Sequence, residues 1–347
     1  MADSPRRTLT PDDALPPVEP PSAAFLVQLF LVPAIIVAII VFVWLSFHWL
    51  AQLGNDPEGY VKTLRRNNEG RWQAALNFAN DLRDRGPRGK ALKADAGLAR
   101  ELGSILADEV ASGRPKAAGY TGEQSQTLCG YLCRALGEFA VPEAAEPLVA
   151  RAADGTDPRT AQAAVEALAV LADNLDAAGR EFADSAAVSR VILAAADSQD
   201  ATLRSRAAYA LGVVGGTGVA ARLQTLLGDV ADNVRFNAAV ALARRHDAAA
   251  WDVLGEMLAL PDVEAADGDD AAQSRRYKRA LVALNGLKAV GLLVEGGRMP
   301  PPAAVAARIA VLRQDPVPDV RTAATALAAM IERVSSPVSP SSEPSRP

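Results

Sequence analysis

The chain has 347 residues, half of them hydrophobic but only 5% aromatic, and a formal charge of −5 at pH 7. That charge argues against nucleic acid as a partner, because a surface that binds it is usually basic; two cysteines cannot build a disulfide framework. Burial falls to Ala, Leu and Val, a composition that predicts helices.

Residues 1–22 carry Pro5, Pro11, Pro16, Pro17, Pro20 and Pro21 without a hydrophobic period, which predicts a disordered Pro-rich tail. The next stretch, 23–51, reads AAFLVQLFLVPAIIVAIIVFVWLSFHWLA, and no Asp, Glu, Lys or Arg occurs between Glu19 and Asp56. As a helix it would reach about 40 Å, more than the ~30 Å hydrocarbon core of a bilayer. Trp44, Phe47 and Trp49 gather at its C-terminal end, where an interfacial aromatic belt sits. Pro33 is tolerable in a transmembrane helix. A cleaved signal peptide has a shorter apolar region followed by a small-residue cleavage site, which WLAQLGN does not resemble. The expectation is a retained transmembrane helix at the cell membrane.

Residues 57–334 form one long helical region with an internal repeat. In 230–247 Arg235 is followed by Ala238, Ala239, Ala241 and Leu242; from Asp200 onward Arg204 is followed by Ala207, Ala208, Ala210 and Leu211 at identical offsets. Arg71 with Ala74 and Ala75 keeps part of the spacing. Asp319, Val320 and Arg321 keep the start of it, and Asp157 with Arg159 is a looser fit. A shorter apolar-periodic stretch precedes most of these, as in AAEPLVARAAD, VSRVILAAADS, VAARLQTLLGD, AWDVLGEMLAL and AAVAARIAVLRQD. The unit is a short helix, a turn carrying Asp or Gly, and a second helix. An Asp or Asn at the turn can accept from free backbone N–H groups and suits the positive end of the second helix. Small Ala pairs let helices approach, and the Arg can reach a carboxylate or carbonyl of the adjacent repeat to form a ladder. One such pair cannot bury its apolar face alone, so successive pairs must stack. The last stretch, 335–347, is Ser/Pro-rich and predicted disordered.

The pattern resembles the HEAT repeat, including the bilin-lyase-like variety, most specifically at Asp200–Leu211 and Asp232–Leu242. The resemblance implies an all-α solenoid behind a single N-terminal transmembrane helix, working mainly as a scaffold for proteins. Some proteins of this class are enzymes. A di-iron hydroxylase on such repeats needs several His-Glu pairs, and none occurs; the two histidines are His48 and His246. No nucleotide-binding or nucleophile-elbow motif is present. Cys129 and Cys133, four residues apart beside Leu128, Leu132 and Leu136, read as core residues rather than a bilin-attachment or redox pair. No catalytic, cofactor-binding or metal-ligating residue is assigned, and no cofactor is expected.

Two charge features remain. Asp262, Glu264, Asp267, Asp269 and Asp270 lie in an acidic insertion without the ligand alternation of an EF-hand, either a solvated loop or a contact for a basic partner. Residues 61–93 carry nine basic residues against Glu69, Asp81 and Asp84, net +6, so the patch starting at Lys62, Arg65, Arg66 and Arg71 is a candidate membrane-surface contact.

The expected function is a membrane-anchored scaffold binding protein partners at the membrane surface. The alternatives are an enzyme or accessory of the bilin-lyase-like group acting on a bound small molecule, and a dedicated subunit of a membrane complex such as a transporter. A concave face of grouped Arg, Asp and aromatic residues would favour partners; a closed apolar pocket would favour a small molecule. Lys62, Arg65 and Arg66 after the span outnumber Arg6 and Arg7 before it, which predicts a cytoplasmic solenoid.

Overall fold

The computed structural model describes residues 22–53, 57–66, 70–112, 122–260, 270–296 and 299–335. The two predicted disordered tails, apart from Ser22 and Ser335, and the acidic insertion up to Asp269 lie outside them. Among the described residues there are sixteen α-helices, two short 3-10 turns and no strand.

Helix α1 (Ala23–Leu53) belongs to a unit of its own, 1–56. It runs on through Pro33, and its segment Val27–Phe47 has a mean hydropathy of 2.9 over its most apolar window, with its side chains exposed throughout. It is long and apolar enough to cross a membrane. A core helix of the same composition would bury those side chains.

The second unit begins at Pro57 and holds helices in two layers. The first helices are α2 (Pro57–Arg65), α5 (Ala96–Ala111), α7 (Ala145–Ala152), α9 (Ser185–Ala196), α11 (Val219–Leu226), α13 (Trp251–Leu258) and α15 (Ala303–Leu312). Their partners are α3 (Arg71–Leu82), α6 (Gly122–Gly137), α8 (Pro158–Ala177), α10 (Ala201–Val214), α12 (Asp232–Arg244), α14 (Asp270–Glu295) and α16 (Pro318–Ser335). The short α4 (Pro87–Lys93) follows α3. Each second helix packs on its own first helix and on the second helices before and after it, so the repeats read in the sequence form one continuous stack. Every short apolar stretch noted above is a first helix, and every Arg-Ala-Ala string is a second helix.

The repeat offsets are packing offsets. Leu203, Ala207, Ala208, Ala210 and Leu211 are buried in α10, and Val234, Ala238, Ala239, Ala241 and Leu242 occupy the same positions in α12. Spacings of three and four residues keep these side chains on one stripe of each helix. Second helices approach closely because the contacts are made by Ala and Gly. A Cβ on Gly212 would stand 2.6 Å from the Cβ of Ala241, and one on Gly137 would stand 2.9 Å from the Cα of Ala167. First helices touch one another more sparsely, so the second-helix layer is the tighter, inner one.

Carboxylates close the turns before the second helices α8 and α10 as expected, and also start the first helices α5 and α9. Asp95, Asp157, Asp184 and Asp200 each accept from a backbone N–H of the first turn. The 230–247 repeat differs: Ala231 is the residue before α12, and Asp232 lies within its first turn. Asp232 instead pairs with Arg235 at 2.8 Å, one turn further on, while Asp229 accepts from the Ala231 N–H. An Asp at either place favours the helix N-terminus, because the dipole acts over the whole first turn.

Candidate partner-binding face

Two sets of arginines occupy the second helices, and their positions around each helix decide what they do. The first set faces the first-helix layer and forms the ladder. Arg204 donates to both carboxylate oxygens of Asp229, at 2.8 and 2.9 Å, and to the carbonyls of Ser198 and Gln199. Arg235 donates to the carbonyl of that same Asp229 at 2.9 Å and pairs with Glu256 of α13. Each arginine thus ties the turn of its own repeat to a carboxylate of the next. Both sites hold this fork in place from two directions, which a lysine ammonium could not match. The hydrogen bond from Arg204 lowers the Asp229 pKa below the ordinary carboxylate value, and Asp229 correspondingly raises that of Arg204.

The ends of the stack repeat the arrangement in drier surroundings. Arg71 donates to the Leu64 carbonyl and, at 2.7 Å, to Glu109 of α5, with side-chain exposures of 5% and 0%. Ser125 of α6 gives Glu109 a further hydrogen bond at 3.0 Å. Arg279 pairs with buried Asp315, whose carbonyl accepts from Arg321. Arg71 is therefore not part of a membrane-facing patch. The following turn needs a cation between Leu64 and Glu109, and the side chain is buried to supply it. Of the other patch residues Arg65 shares its charge with Glu101, and Lys62 and Arg66 are exposed. The sequence reading passed over Arg279, because the acidic insertion replaces the usual Asp turn; its available signal was Ala283, four residues on and buried like Ala208 after Arg204.

Arg159 also departs from the expected ladder. Arg204 lies four residues beyond its capping Asp200, whereas Arg159 lies only two beyond Asp157. Two residues turn a helix by about 200°, so Arg159 points to the opposite side. Ala161 takes the ladder position and is buried. Arg206, two residues after Arg204, faces outward for the same reason. There Arg159 and Arg206 meet Arg134 of α6 in a groove of about 280 Å³ across α6, α8 and α10, with Gln126, Tyr131 and Gln162 in its wall. Among the described residues Arg134 and Arg159 have no carboxylate partner, and Arg206 has one, Glu166. Burial first, and then the charge of Arg134, lower the Arg206 pKa below its usual value. Its Nε is buried, with no hydrogen-bond partner among the described residues.

Aromatic rings extend this face along the stack. Trp72 of α3, 42% exposed, stacks on Tyr131 at 6.3 Å between centroids. Arg134 lies 5.5 Å over the Tyr131 ring, and Arg244 of α12 lies 5.6 Å over that of Tyr209 of α10. Tyr277 and Leu281 remain exposed on α14.

The cysteines lie elsewhere. Cys129 and Cys133 are buried and unbonded to each other; burial first of all pushes the Cys129 thiol up to about 12 and raises Cys133 as well. A thiol held protonated is a poor nucleophile. Among the described residues no group of three or more His, Cys, Asp or Glu side chains is placed to hold a metal ion. Between α7 and α9 a groove of about 690 Å³ is lined mostly by Ala, Val and Leu, with Asp154, Arg190 and Asp200 at its margin, and it opens to solvent.

The family model of HEAT repeats matches residues 189–267. No curated protein matches the chain in sequence. Among solved structures an engineered protein aligns at 17% identity, covering 81% of this chain and 98% of its own, with a TM-score of 0.34. Human deoxyhypusine hydroxylase in complex with glycerol aligns at 18% identity over 80% and 96%, TM-score 0.31. YibA of E. coli aligns at 13% over 79% and 95%, TM-score 0.33. At these scores the likenesses carry nothing about function. Residues 189–267 are HEAT repeats, and the stack of helix pairs in which they sit is a HEAT-like α-solenoid.

Proposed function

We propose that this protein is a membrane-anchored, non-catalytic scaffold that holds a protein partner on the second-helix face. The observation that carries this reading is the combination of Arg134 and Arg159, which have no acidic partner among the described residues, with the exposed ring of Trp72 stacked on the half-buried ring of Tyr131. Tyr, Trp and Arg are the residues in which interfaces and their energetic centres are enriched. A ladder arginine has its carboxylate within the fold; these two have none among the described residues. The open groove between α7 and α9 does not enclose a small molecule, which weighs against the accessory-enzyme alternative. The transporter-subunit alternative is a special case of partner binding, in which the captured protein is itself integral to the membrane.

The anchor is α1, and the solenoid is cytoplasmic on this reading, because Lys62, Arg65 and Arg66 follow the span while only Arg6 and Arg7 precede it. Lys62 and Arg66, exposed, would gain roughly 1 kcal/mol each beside anionic lipid. Fusions of alkaline phosphatase and of a fluorescent protein to the C-terminus test the orientation. Fluorescence without phosphatase activity is expected, and the reverse overturns it.

Partner binding is tested by placing a photo-reactive phenylalanine at Tyr131 or Tyr209 of the full chain in its native membrane, with Arg308 of α15 as the control position. Irradiation should yield defined protein adducts from the two second-helix positions and none from the control. A face that yields no adduct is not a partner site.

A further inference from the structure

The groove of Arg134, Arg159 and Arg206 is more selective than a generic interface. Its cations come from three successive second helices, and among the described residues Glu166 is the one carboxylate ion-paired with any of them. Gln126 and Gln162 in the wall are already engaged, donating to Asp157 and Asp200. Asp157 and Asp200 thus stand behind the wall, held by these amides, and no carboxylate is among the residues that line the groove. Arg206 sits between a carboxylate on one side and the repulsion of Arg134 on the other. Adding negative charge relieves that repulsion, while adding positive charge compounds it. Beside the cations, the Trp72–Tyr131 stack offers an apolar surface on the preceding repeat.

We propose that this groove takes an acidic segment of a protein partner, whose carboxylates pair with Arg134, Arg159 and Arg206 while an adjoining apolar side chain lies against Tyr131 and Trp72. The inference rests on the partner-binding reading above and assigns the chemistry of that partner. Charge complementarity selects the occupant: a basic segment would meet three guanidiniums, and an apolar one would leave Arg134 and Arg159 desolvated and unpaired. Arginine suits the task because its planar fork pairs with a carboxylate through two parallel hydrogen bonds.

The test uses the full chain in detergent and a short fluorescein-labelled peptide alternating Glu and Leu. Its Gln/Leu and Lys/Leu counterparts, a single-stranded oligonucleotide and inorganic phosphate serve as comparisons. The Glu/Leu peptide should bind about tenfold more tightly than the Gln/Leu peptide at low salt, and the difference should shrink as salt is added. Arg134→Gln with Arg159→Gln should weaken it by about tenfold, on the scale of two solvent-accessible ion pairs. Arg308→Gln should leave it unchanged, and Arg134→Glu with Arg159→Glu should transfer the preference to the Lys/Leu peptide. Unaltered circular dichroism of each variant ties these effects to the groove.

Equal binding of the Glu and Gln peptides overturns the proposal, as does a double variant that binds like the parent. Tighter binding of the oligonucleotide at the same arginines, or displacement of the peptide by inorganic phosphate in the low millimolar range, also overturns it by making this a phosphate site. If photo-adducts form at Tyr131 while the acidic peptide fails to bind, the acidic-partner inference falls and the scaffold reading stands. If no adduct forms, the scaffold reading falls with it.

Discussion

The ladder and the groove are built from the same residue on the same helices, and they differ in what answers the charge. Arg204 and Arg235 each reach a carboxylate of the next repeat and at least one backbone carbonyl of their own. Arg134 and Arg159 reach no carboxylate among the described residues. Two positions along the helix separate Arg204 from Arg206 and turn the second to the other side. The comparison shows that arginine content alone says little: an arginine with a carboxylate partner in the fold ties repeats together, and one without it among the described residues leaves its charge on the groove.

The largest expected effect comes from breaking the ladder where it is driest. Glu109→Ala leaves Arg71 buried without its carboxylate and should cost about 3–5 kcal/mol, since an uncompensated buried cation is costly. Thermal unfolding of the full chain in detergent measures it. A loss below about 1 kcal/mol, the scale of an exposed pair, would erase the distinction between a seam and a surface.

Next come the small residues that hold the second helices close enough for the ladder to span repeats. Ala208 and Ala239 are fully buried in equivalent positions. Ala208→Leu and Ala239→Leu should each cost about 1–3 kcal/mol by overpacking. Unchanged melting temperatures for both would contradict the repeat register.

A smaller effect appears in acid. The Asp229 pKa is lowered in the folded chain, chiefly by the Arg204 hydrogen bond. A depressed folded value means the stabilisation is complete above the unfolded carboxylate value of about 3.9, and is lost as pH falls through the lower folded value. Asp229→Asn should therefore flatten the fall in melting temperature below about pH 4 while lowering stability at pH 7. A variant with the parent's acid profile would show that the pair is not formed in solution.

The smallest effect sharpens the contrast from the other side. Arg159→Gln should leave stability within about 0.5 kcal/mol of the parent, as for a surface substitution with no partner to lose. A loss as large as that of Glu109→Ala would place Arg159 in the ladder after all.

Much of the architecture was legible in the residues. Helix spacing, the turn carboxylates and the Arg-Ala-Ala offsets are local, repeat along the chain, and foretold both layers and the ladder. Arg71 and Arg159 were not legible in the same way. A run of basic residues near the span suggested a patch including Arg71, but Glu109, which buries it, lies 38 residues away. Arg159 follows an Asp shortly after a turn, as Arg204 and Arg235 do, yet the number of residues between them, and so the angle around the helix, sets its direction.

The sequence by itself determined a long apolar helix and an array of amphipathic helix pairs, because hydrophobic period, capping and small-residue contacts act within a few turns of chain. Only the tertiary structure decided which arginines are spent inside the fold. That depends on carboxylates one repeat away, on which helix face each cation occupies, and on three successive helices bringing Arg134, Arg159 and Arg206 to one groove.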